Sequence, residues 1–342
     1  MKYKGVVYDV GLKYEENTPS SVEPFDEALV KYDINTIAKD LHANTVRIEG
    51  EEIKRLVTAT RLAHAAGLTV FFNPWKMNVP VEELAGYYVE AAIAAEELRK
   101  EGVELVFVCG CEITMFNKGI FPGETILERA NWLGSHTAGG DSHPLQQQSL
   151  QLNNILSTIV TEVRKQFYGN VTYSSGAWEA VDWSLFDIVG VDYYRYAETA
   201  EQYVSGLDRY RINKPLVVME VGCCTFKGAG PLGAGGFMLL EGQNADGTGK
   251  FRDGVVPVRS EQEQADYVSE QLQLLSDAGV DGVFIFVFSF PVHRLGEGAK
   301  DMDMMSYSLV KTFPDNDSRS TLMPPWAPKK SFYSVADFYK KH

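Results

Sequence analysis

The sequence predicts an α/β protein built as one closed (β/α)8 barrel, and three observations support that fold. Short apolar runs alternate with helical patterns along the whole chain, no break in composition divides residues 1–342 into domains, and the longest connections follow strands. A chain of 342 residues suits a barrel of roughly 250 residues with enlarged loops. The main alternative is a doubly wound open sheet, but no Gly-x-Gly-x-x-Gly motif follows the first strand.

Eight runs are predicted to be the barrel strands. Each run is almost continuously apolar, which is typical of parallel strands that are buried on both faces. In chain order they cover residues 5–10, 44–48, 69–73, 104–112, 170–174, 188–193, 216–221 and 282–288.

Amphipathic helices are predicted between these strands. The clearest has an apolar stripe over residues 152–167 at i, i+3, i+4 and i+7 spacing. Others are predicted at 25–41, 52–66, 81–101, 200–211, 261–278 and 330–341, with a weaker pattern at 178–185. The connections after the fourth, seventh and eighth strands (113–142, 222–258 and 289–329) are long, and in barrels such loops build the active site.

Composition restricts the partners and the location that we expect. The net charge of −14 argues against nucleic acid and anionic membranes and favours a neutral or cationic small molecule. No apolar run reaches the roughly 18 residues of a membrane span, and no secretory leader precedes the first strand, so a cytoplasmic protein is expected. The four cysteines are too few for a secreted disulfide scaffold, so reduced thiols are expected.

Two glutamates at the ends of otherwise apolar strands are the predicted catalytic residues. Glu112 ends the fourth strand and Glu220 ends the seventh. A carboxylate in such a position is costly because new partners must replace its lost hydration. A helix cap or a salt bridge at the rim would explain either residue alone. Two such residues on opposite sides of one barrel mouth favour a functional pair.

This pattern resembles the clan A retaining glycoside hydrolases, which carry acidic residues at the ends of strands four and seven. The resemblance implies that Glu112 is the acid/base and Glu220 the nucleophile. It also implies an arginine beside the nucleophile, matched by Arg47, and a tyrosine that hydrogen-bonds it, matched by Tyr193 with Tyr194 as the near alternative. The segments 5–11, 222–224, 301–304 and 326–332 further resemble bacterial barrel proteins labelled "abortive infection protein".

The residue before the predicted acid/base departs from that family. Clan A enzymes typically carry asparagine there, in contact with the sugar 2-hydroxyl, whereas this chain has Cys111. A thiol is a weak hydrogen-bond partner, so the substrate need not be an ordinary glucoside or mannoside. Strand alternation predicts that Cys109 and Cys111 share the face opposite to Glu112 and point toward the helices.

The predicted chemistry requires two carboxyl groups in opposite protonation states. One protonates the leaving oxygen and the other attacks the anomeric carbon. Arg47 is expected to keep Glu220 ionised, while Glu112 holds its proton in a less charged setting. If the reaction retains configuration, the two carboxyl groups are expected to stand about 5–5.5 Å apart.

Other side chains at strand ends complete the predicted sugar site. Aromatic rings pack against the C–H faces of sugars, and polar groups bind hydroxyls; packing at the rim is the alternative for each residue. Beside Arg47 and the two tyrosines, the predicted substrate contacts are Asp9, Glu49, Asn73, Trp75, Trp178 and Phe288, with Phe290 close by.

We predict no cofactor and no metal. The His-x-His of barrel metallohydrolases is absent, and a site with Cys223 or Cys224 and His293 is the weaker alternative. The leading hypothesis is a retaining β-glycosidase-type hydrolase, or a transglycosylase, acting on a neutral glycoside or oligosaccharide. The alternatives are a barrel that binds a carbohydrate or a protein without turnover, in phage defence, and a barrel lyase or isomerase.

Overall fold

The computed structural model describes residues 1–15, 18–137 and 143–342, and it confirms the predicted barrel. The first seven barrel strands are β1 (Tyr3–Asp9), β2 (Thr45–Gly50), β3 (Thr69–Pro74), β4 (Leu105–Cys111), β5 (Asn170–Gly176), β6 (Val189–Asp192) and β7 (Leu216–Val221). A hairpin of β8 (Leu240–Gln243) and β9 (Gly249–Phe251) precedes the eighth barrel strand, β10 (Gly282–Ile285). A short pair, β11 (Val310–Thr312) and β12 (Trp326–Pro328), follows.

The strands close in the order β1-β10-β7-β6-β5-β4-β3-β2, and every neighbouring pair in the barrel is parallel. Because parallel strands share one direction, all eight carboxyl ends meet at one mouth. The helices are α1 (Glu27–Lys39), α2 (Ile53–Ala65), α3 (Leu84–Lys100), α4 (Ile113–Phe116), α5 (Ile126–Thr137), α6 (His143–Arg164), α7 (Ala200–Ser205), α8 (Glu261–Asp277) and α9 (Lys330–Lys341).

Strand alternation divides the apolar residues between two layers. One set fills the barrel interior and includes Val7, Phe71, Val106 and Met219. The other set lies between the barrel and its helices. Side chains at the strand ends therefore face either the mouth or the helices, according to their position in this alternation.

Helix boundaries follow capping residues where these are present. Asp26 accepts hydrogen bonds from the first turn of α1, and Thr199 forms a capping box with Gln202 at α7. The helix predicted at 200–211 ends early, at Ser205, and continues as a 3-10 turn. Residues 178–185 form only the 3-10 turn Trp183–Leu185, so the helix predicted there is wrong.

Two of the long loops contain structure that the sequence patterns do not indicate. The connection after β4 holds α4 and α5, and its residues 138–142 lie outside the described part of the chain. The loop after β7 carries the β8–β9 hairpin. Strands of three or four residues are too short to show a hydrophobic period, so the sequence gives them no signal.

Candidate active site

A β-bulge shapes the end of β4. Val108 pairs with Thr172 of β5, whereas Cys111 pairs with Ser174, so one extra residue is inserted in β4. Gly110 lies inside the bulge with φ +120°, and a Cβ there would lie 2.7 Å from Ile113. The extra residue reverses the inside–outside alternation for everything that follows it.

The bulge turns Cys111 into the barrel mouth, so the predicted direction toward the helices is wrong. Cys109 does pack in the layer between barrel and helices. Beyond the bulge, Arg47 Nη2 lies 3.3 Å from the Cys111 sulfur and donates to it. The same sulfur lies 3.7 Å from Asp192 Oδ2 and 3.8 Å from Glu220 Oε1. Glycine inside a strand is a known mark of a bulge, so Gly110 carried the missed signal.

Glu112 follows the bulge in a left-handed backbone conformation, with φ +41° and ψ +46°. Such a conformation costs a non-glycine residue about 1–3 kcal/mol, and it recurs at functional sites. Glu112 directly precedes α4, yet its carboxylate does not cap that helix. Burial raises the pKa of Glu112 well above its usual range, and the negative charges of Asp192 and Glu220 raise it further. This carboxyl group is therefore suited to hold a proton near neutral pH.

Glu179 fixes the backbone around Glu112 and was not predicted from the sequence. Its carboxylate accepts hydrogen bonds from the Thr114 hydroxyl at 2.6 Å and from the Thr114 amide at 3.2 Å. It also accepts from the Tyr173 hydroxyl at 3.1 Å and the Gly176 amide at 3.1 Å. Burial raises the pKa of Glu179 to about 7. Glu179 lies in a connection rather than at a strand end, which is why the search of strand ends missed it.

A second bulge places Glu220 at the mouth. Val191 of β6 pairs with Val218 of β7, and the next β6 residue, Asp192, pairs with Glu220. Met219, which points into the barrel, is the extra residue. Simple alternation would turn the residue after Met219 toward the helices. The bulge keeps Glu220 facing inward, next to Asp192.

Besides the long contact with the Cys111 sulfur, Glu220 accepts one hydrogen bond on each of its two oxygens. Arg47 Nη1 donates to Oε1 at 3.0 Å, and the Tyr194 hydroxyl donates to Oε2 at 2.8 Å. The expected contact between Arg47 and Glu220 is therefore present. Among the hydrogen bonds of the described residues, neither of these donors reaches Glu112.

Tyr193 does not contact Glu220, so the predicted hydrogen bond from this residue is wrong. Its hydroxyl donates to the Tyr203 carbonyl at 2.8 Å, and its ring stacks on Tyr203 at 4.8 Å. Val191 packs toward the helices, and Tyr193 follows it by two residues on the same face. The near alternative, Tyr194, faces the mouth and makes the contact.

Arg47 links the acidic residues of the mouth and is fully buried. Beside its bond to Glu220, it lies 3.3 Å from Glu49 and 3.8 Å from Asp192 and donates to the Met219 carbonyl at 3.0 Å. Asp192 is a second residue that sequence reasoning missed, although it ends β6 on the inward face. Burial raises the pKa of Asp192 well above its usual range, with the charge of Glu220 as the next cause.

One group of side chains has metal-ligand geometry. Donor atoms of Cys111, Asp192 and Glu220 lie within 4.8 Å of one another. Arg47 contacts all three, however, and a metal ion at that point would meet its guanidinium at short range. The positive charge that holds these three residues together is thus supplied by Arg47. In the described part of the chain, His293 belongs to no such group, and burial lowers its pKa to about 4.

A row of three polar side chains lines the opposite half of the mouth. Strand register pairs Asp9 with Glu49 and Glu49 with Asn73. These residues lie two positions nearer the carboxyl ends of their strands than Val7, Arg47 and Phe71, which form the inward-facing layer below them. We call these three residues the mouth row. All three are at least 97% buried. Burial raises the pKa of Asp9 to about 6 and the pKa of Glu49 well above its usual range.

Several atoms of the mouth row lack hydrogen-bond partners within the residues described. They are Asp9 Oδ2, both oxygens of Glu49, and both polar atoms of Asn73. Such atoms are rare inside proteins, because each one loses its hydration without replacement. The predicted substrate contacts on β1, β2 and β3 are therefore brought together, with free polar atoms.

The predicted aromatic contacts are only partly at the mouth. Trp75 is 3% exposed, packs edge-on against Phe116, and its indole N–H lacks a partner among the described residues. Trp178 is half-buried, and its indole donates to the Thr114 hydroxyl at 3.0 Å. Both stay predicted substrate contacts.

Phe288 is not at the mouth, so its predicted role as a substrate contact is wrong. It is fully buried between the barrel and the outer layer, against Tyr8 and Trp326. Phe286 and Phe290 instead pack with the interior layer. The sequence marks an aromatic strand end here but does not show which ring faces inward.

The fold is shared with known glycoside hydrolases. The chain aligns over its full length with all of a GH113 beta-1,4-mannanase, at a TM-score of 0.63 and 16% identity. The GH113 beta-mannanase of Alicyclobacillus acidocaldarius, solved with ManMIm, gives 0.58 and 15%, covering 99% of this chain and 97% of that one. A GH5_18 protein from Streptomyces cattleya, solved with GlcNAc, gives 0.55 and 14%, covering 93% and 75%.

Sequence comparisons add no closer relative. No family model matches the chain, and no curated protein matches it. The structural neighbours do not bear out the resemblance to proteins labelled "abortive infection protein". At these identities the shared property is the (β/α)8 barrel fold itself. Within residues 1–15, 18–137 and 143–342, no helix has the length and apolar character needed to cross a membrane.

Proposed function

We propose that this chain is a retaining glycoside hydrolase of the β-glycosidase type, with Glu220 as nucleophile and Glu112 as acid/base. The observation that carries the proposal is the different environment of the two carboxyl groups. Glu220 accepts hydrogen bonds on both of its oxygens, from the Arg47 guanidinium and the Tyr194 hydroxyl, as a carboxylate does. Glu112 is buried beside negative charges, which favours the protonated form. Two carboxyl groups with opposite protonation states are the requirement of glycoside cleavage.

The proposed reaction has two displacements. A Glu220 oxygen bonds to the anomeric carbon while the bond to the leaving oxygen breaks and that oxygen takes the proton of Glu112. Glu112, now ionised, removes a proton from water, and the resulting hydroxide displaces Glu220 from the same carbon. An alcohol in place of water gives transglycosylation. Arg47 and Tyr194 hold Glu220 in position for attack.

The substrate is a carbohydrate in this proposal, and no cofactor takes part. The shared barrel supports this assignment, because the structural neighbours include proteins named as beta-mannanases. The thiol of Cys111 lies beside Glu220, so contacts to the sugar at this point differ from those of an amide side chain. Mannosides, glucosides and furanosides therefore all belong in the test.

The proposal is tested with a panel of aryl glycosides and a mechanism-based fluorosugar. We expect the chain to hydrolyse at least one aryl glycoside, with the β anomer of the sugar appearing first by NMR. We also expect the fluorosugar to inactivate it and to label the peptide that contains Glu220, as seen by mass spectrometry. Glu220→Gln is the matched control and takes no label. A labelled peptide elsewhere would contradict the assignment of the nucleophile, and sugar binding without turnover would favour the binding barrel instead.

We further propose that residues 1–342 form one catalytic domain that works in the cytoplasm. All four cysteines are free and buried, which suits a reducing compartment. Thiol titration of the freshly purified, denatured chain should give four reactive groups per molecule. A lower number would indicate disulfide formation and contradict the cytoplasmic location.

A further inference from the structure

The mouth row offers far more acceptors than donors. Asp9 Oδ2, Glu49 Oε1 and Oε2 and Asn73 Oδ1 are acceptors without hydrogen-bond partners in the described residues. Among the described residues, the unpartnered donors beside them are the Asn73 amide, the Trp75 indole N–H and Arg47 Nε. A ligand that satisfies this row must therefore bring donors and few lone pairs.

The charge of the mouth points in the same direction. Five carboxyl groups meet there, those of Asp9, Glu49, Glu112, Asp192 and Glu220. Among the described residues, Arg47 is the only cationic side chain that forms an ion pair with any of these five carboxyl groups. It pairs with Glu49, Asp192 and Glu220. Arg55 acts on Asp9 only through its charge. A second positive charge would thus find unpaired carboxyl oxygens on residues that are more than nine-tenths buried.

We propose that the mouth row binds the ammonium group of an amino sugar, so that the preferred substrate is a glycoside whose reacting ring carries a free amine. The inference rests on the proposed glycosidase function, because it names the substrate class of the same site. An ammonium group has three donors and no acceptor, which matches the unpartnered oxygens of Asp9, Glu49 and Asn73.

Neutral hydroxyl groups match the row less well. Each hydroxyl brings one donor together with two lone pairs, so it fills one acceptor and creates a need for donors, of which the row itself supplies the Asn73 amide alone. A hydroxyl also brings no positive charge to a mouth in which Arg47 pairs with three of the carboxyl groups, those of Glu49, Asp192 and Glu220. The N-acetyl form of an amino sugar has lost the positive charge and should be bound as poorly as a neutral sugar.

The test compares matched nitrophenyl β-glycosides: glucosamine, galactosamine and mannosamine, each with its neutral parent sugar and its N-acetyl form. We expect at least one amine to have a kcat/KM about 10-fold or more above both partners, a difference that corresponds to about 1.4 kcal/mol. Glu49→Gln and Asp9→Asn should each lower this amine-to-neutral ratio about 10-fold. Asp9 has no contact with Arg47, so its variant remains informative if the Glu49 variant disturbs that residue.

Glu90→Gln is the control for the loss of one negative charge, since Glu90 is exposed on α3 away from the mouth. It should leave the ratio unchanged. A binding arm measures the melting temperature with free amino sugars and with their neutral parents, and only the amino sugars should raise it. Amine-selective binding without turnover would keep this inference and remove the proposed function. Turnover of neutral glycosides with no amine preference, or a ratio unchanged in both variants, would overturn the inference and leave the function standing.

Discussion

Two clusters of buried and half-buried polar side chains in this molecule differ in how completely they are paired. One is the mouth row of Asp9, Glu49 and Asn73. The other, which we call the Lys329 cluster, comprises Lys329, Asp303, Arg259, Asp301 and Glu261. Lys329 Nζ lies 3.0 Å from Asp303, and Arg259 lies 2.9 Å from Asp303, 3.0 Å from Asp301 and 3.0 Å from Glu261.

The Lys329 cluster also has hydroxyl partners. Lys329 donates to Thr225 and Ser308 and lies within reach of Ser306, so its fully buried ammonium is surrounded by acceptors. The cluster ties the start of α8 and the turn at 302–305 to the start of α9. In the mouth row, by contrast, most polar side-chain atoms have no hydrogen-bond partner in the described chain, whereas in the Lys329 cluster Asp303 Oδ1 is the one such atom.

This difference separates two uses of buried charge. Paired groups stabilise the fold around them, and removing one member leaves a charge without compensation. Unpartnered groups lower the stability of the free protein and persist where a ligand satisfies them. The first kind of site should respond to mutation in its stability, and the second kind in its activity. The following predictions test that separation, beginning with the largest effect.

Glu220→Gln should reduce kcat/KM about 10⁴-fold or more, the size of loss that follows removal of a catalytic group. The free energy of unfolding should change by less than in the Lys329 variant described next, because the amide oxygen can still accept the bond from Arg47, which also keeps Glu49 and Asp192 as partners. Activity on the best aryl glycoside and urea denaturation measure the two effects. Activity near that of the wild type would remove Glu220 from the mechanism.

Lys329→Met should show the reverse pattern. Loss of the ammonium leaves Asp303 without one of its two cationic partners, and such changes cost about 3–5 kcal/mol. The kcat/KM of the folded fraction should stay within about 2-fold of wild type. Lys340→Met, on the exposed side of α9, is the matched control and should leave stability unchanged. If both variants unfold at the same denaturant concentration as wild type, the cluster does not stabilise the fold.

Glu112→Ala should lower activity about 10²–10⁴-fold on substrates with poor leaving groups, as expected for a lost general acid. Activated aryl glycosides should suffer less, because their leaving groups depart without a proton. Azide should partly restore turnover, since this anion attacks the glycosyl-enzyme without base assistance. Equal losses on both substrate types, without rescue, would contradict the acid/base role.

The barrel and the strands that carry the glutamates were predictable because continuous apolar runs and their alternation with amphipathic helices are properties of local sequence. The directions of side chains at the strand ends were harder. Two bulges, at Gly110 and Met219, reverse the alternation next to Cys111 and Glu220. Of these, only Gly110 leaves a mark in the sequence, because a bulge at Met219 depends on how two strands pair.

The remaining gaps have different physical causes. Tyr194 could have been chosen over Tyr193 by counting two residues from the outward-facing Val191. Asp192 could have been found in the same way, as the inward neighbour. Glu179 acts through hydrogen bonds to a turn that exists only in the folded chain, and no local pattern announces it. The Lys329 cluster likewise joins segments that are distant in sequence.

Asp9→Asn tests the mouth row through the pH dependence of stability. The folded pKa of Asp9 is raised by burial to about 6, above its ordinary 3.8, so the native state holds a proton that the unfolded chain releases. Wild-type stability should therefore fall as pH rises from about 4 to about 6. The asparagine variant lacks this loss and should be more stable than wild type at pH 8 by about 1–3 kcal/mol. Urea denaturation of both proteins at pH 4 and at pH 8 measures the difference in their free energies of unfolding. The same difference at both pH values would contradict the prediction.

The smallest effects are expected from two adjacent tyrosines, of which Tyr194 contacts a predicted catalytic residue and Tyr193 contacts only the surrounding fold. Tyr194→Phe removes the hydroxyl that donates to Glu220, so kcat should fall roughly 10-fold while stability stays within about 0.5 kcal/mol. Tyr193→Phe removes the bond to the Tyr203 carbonyl, so stability should fall by about 0.5–1.5 kcal/mol with kcat unchanged. Each variant is the control for the other, because the same atom is deleted one residue away. If Tyr193→Phe lowers kcat more than Tyr194→Phe does, Tyr193 is the functional tyrosine, as the sequence predicted. In that case stabilising and functional groups are not separated at this strand end.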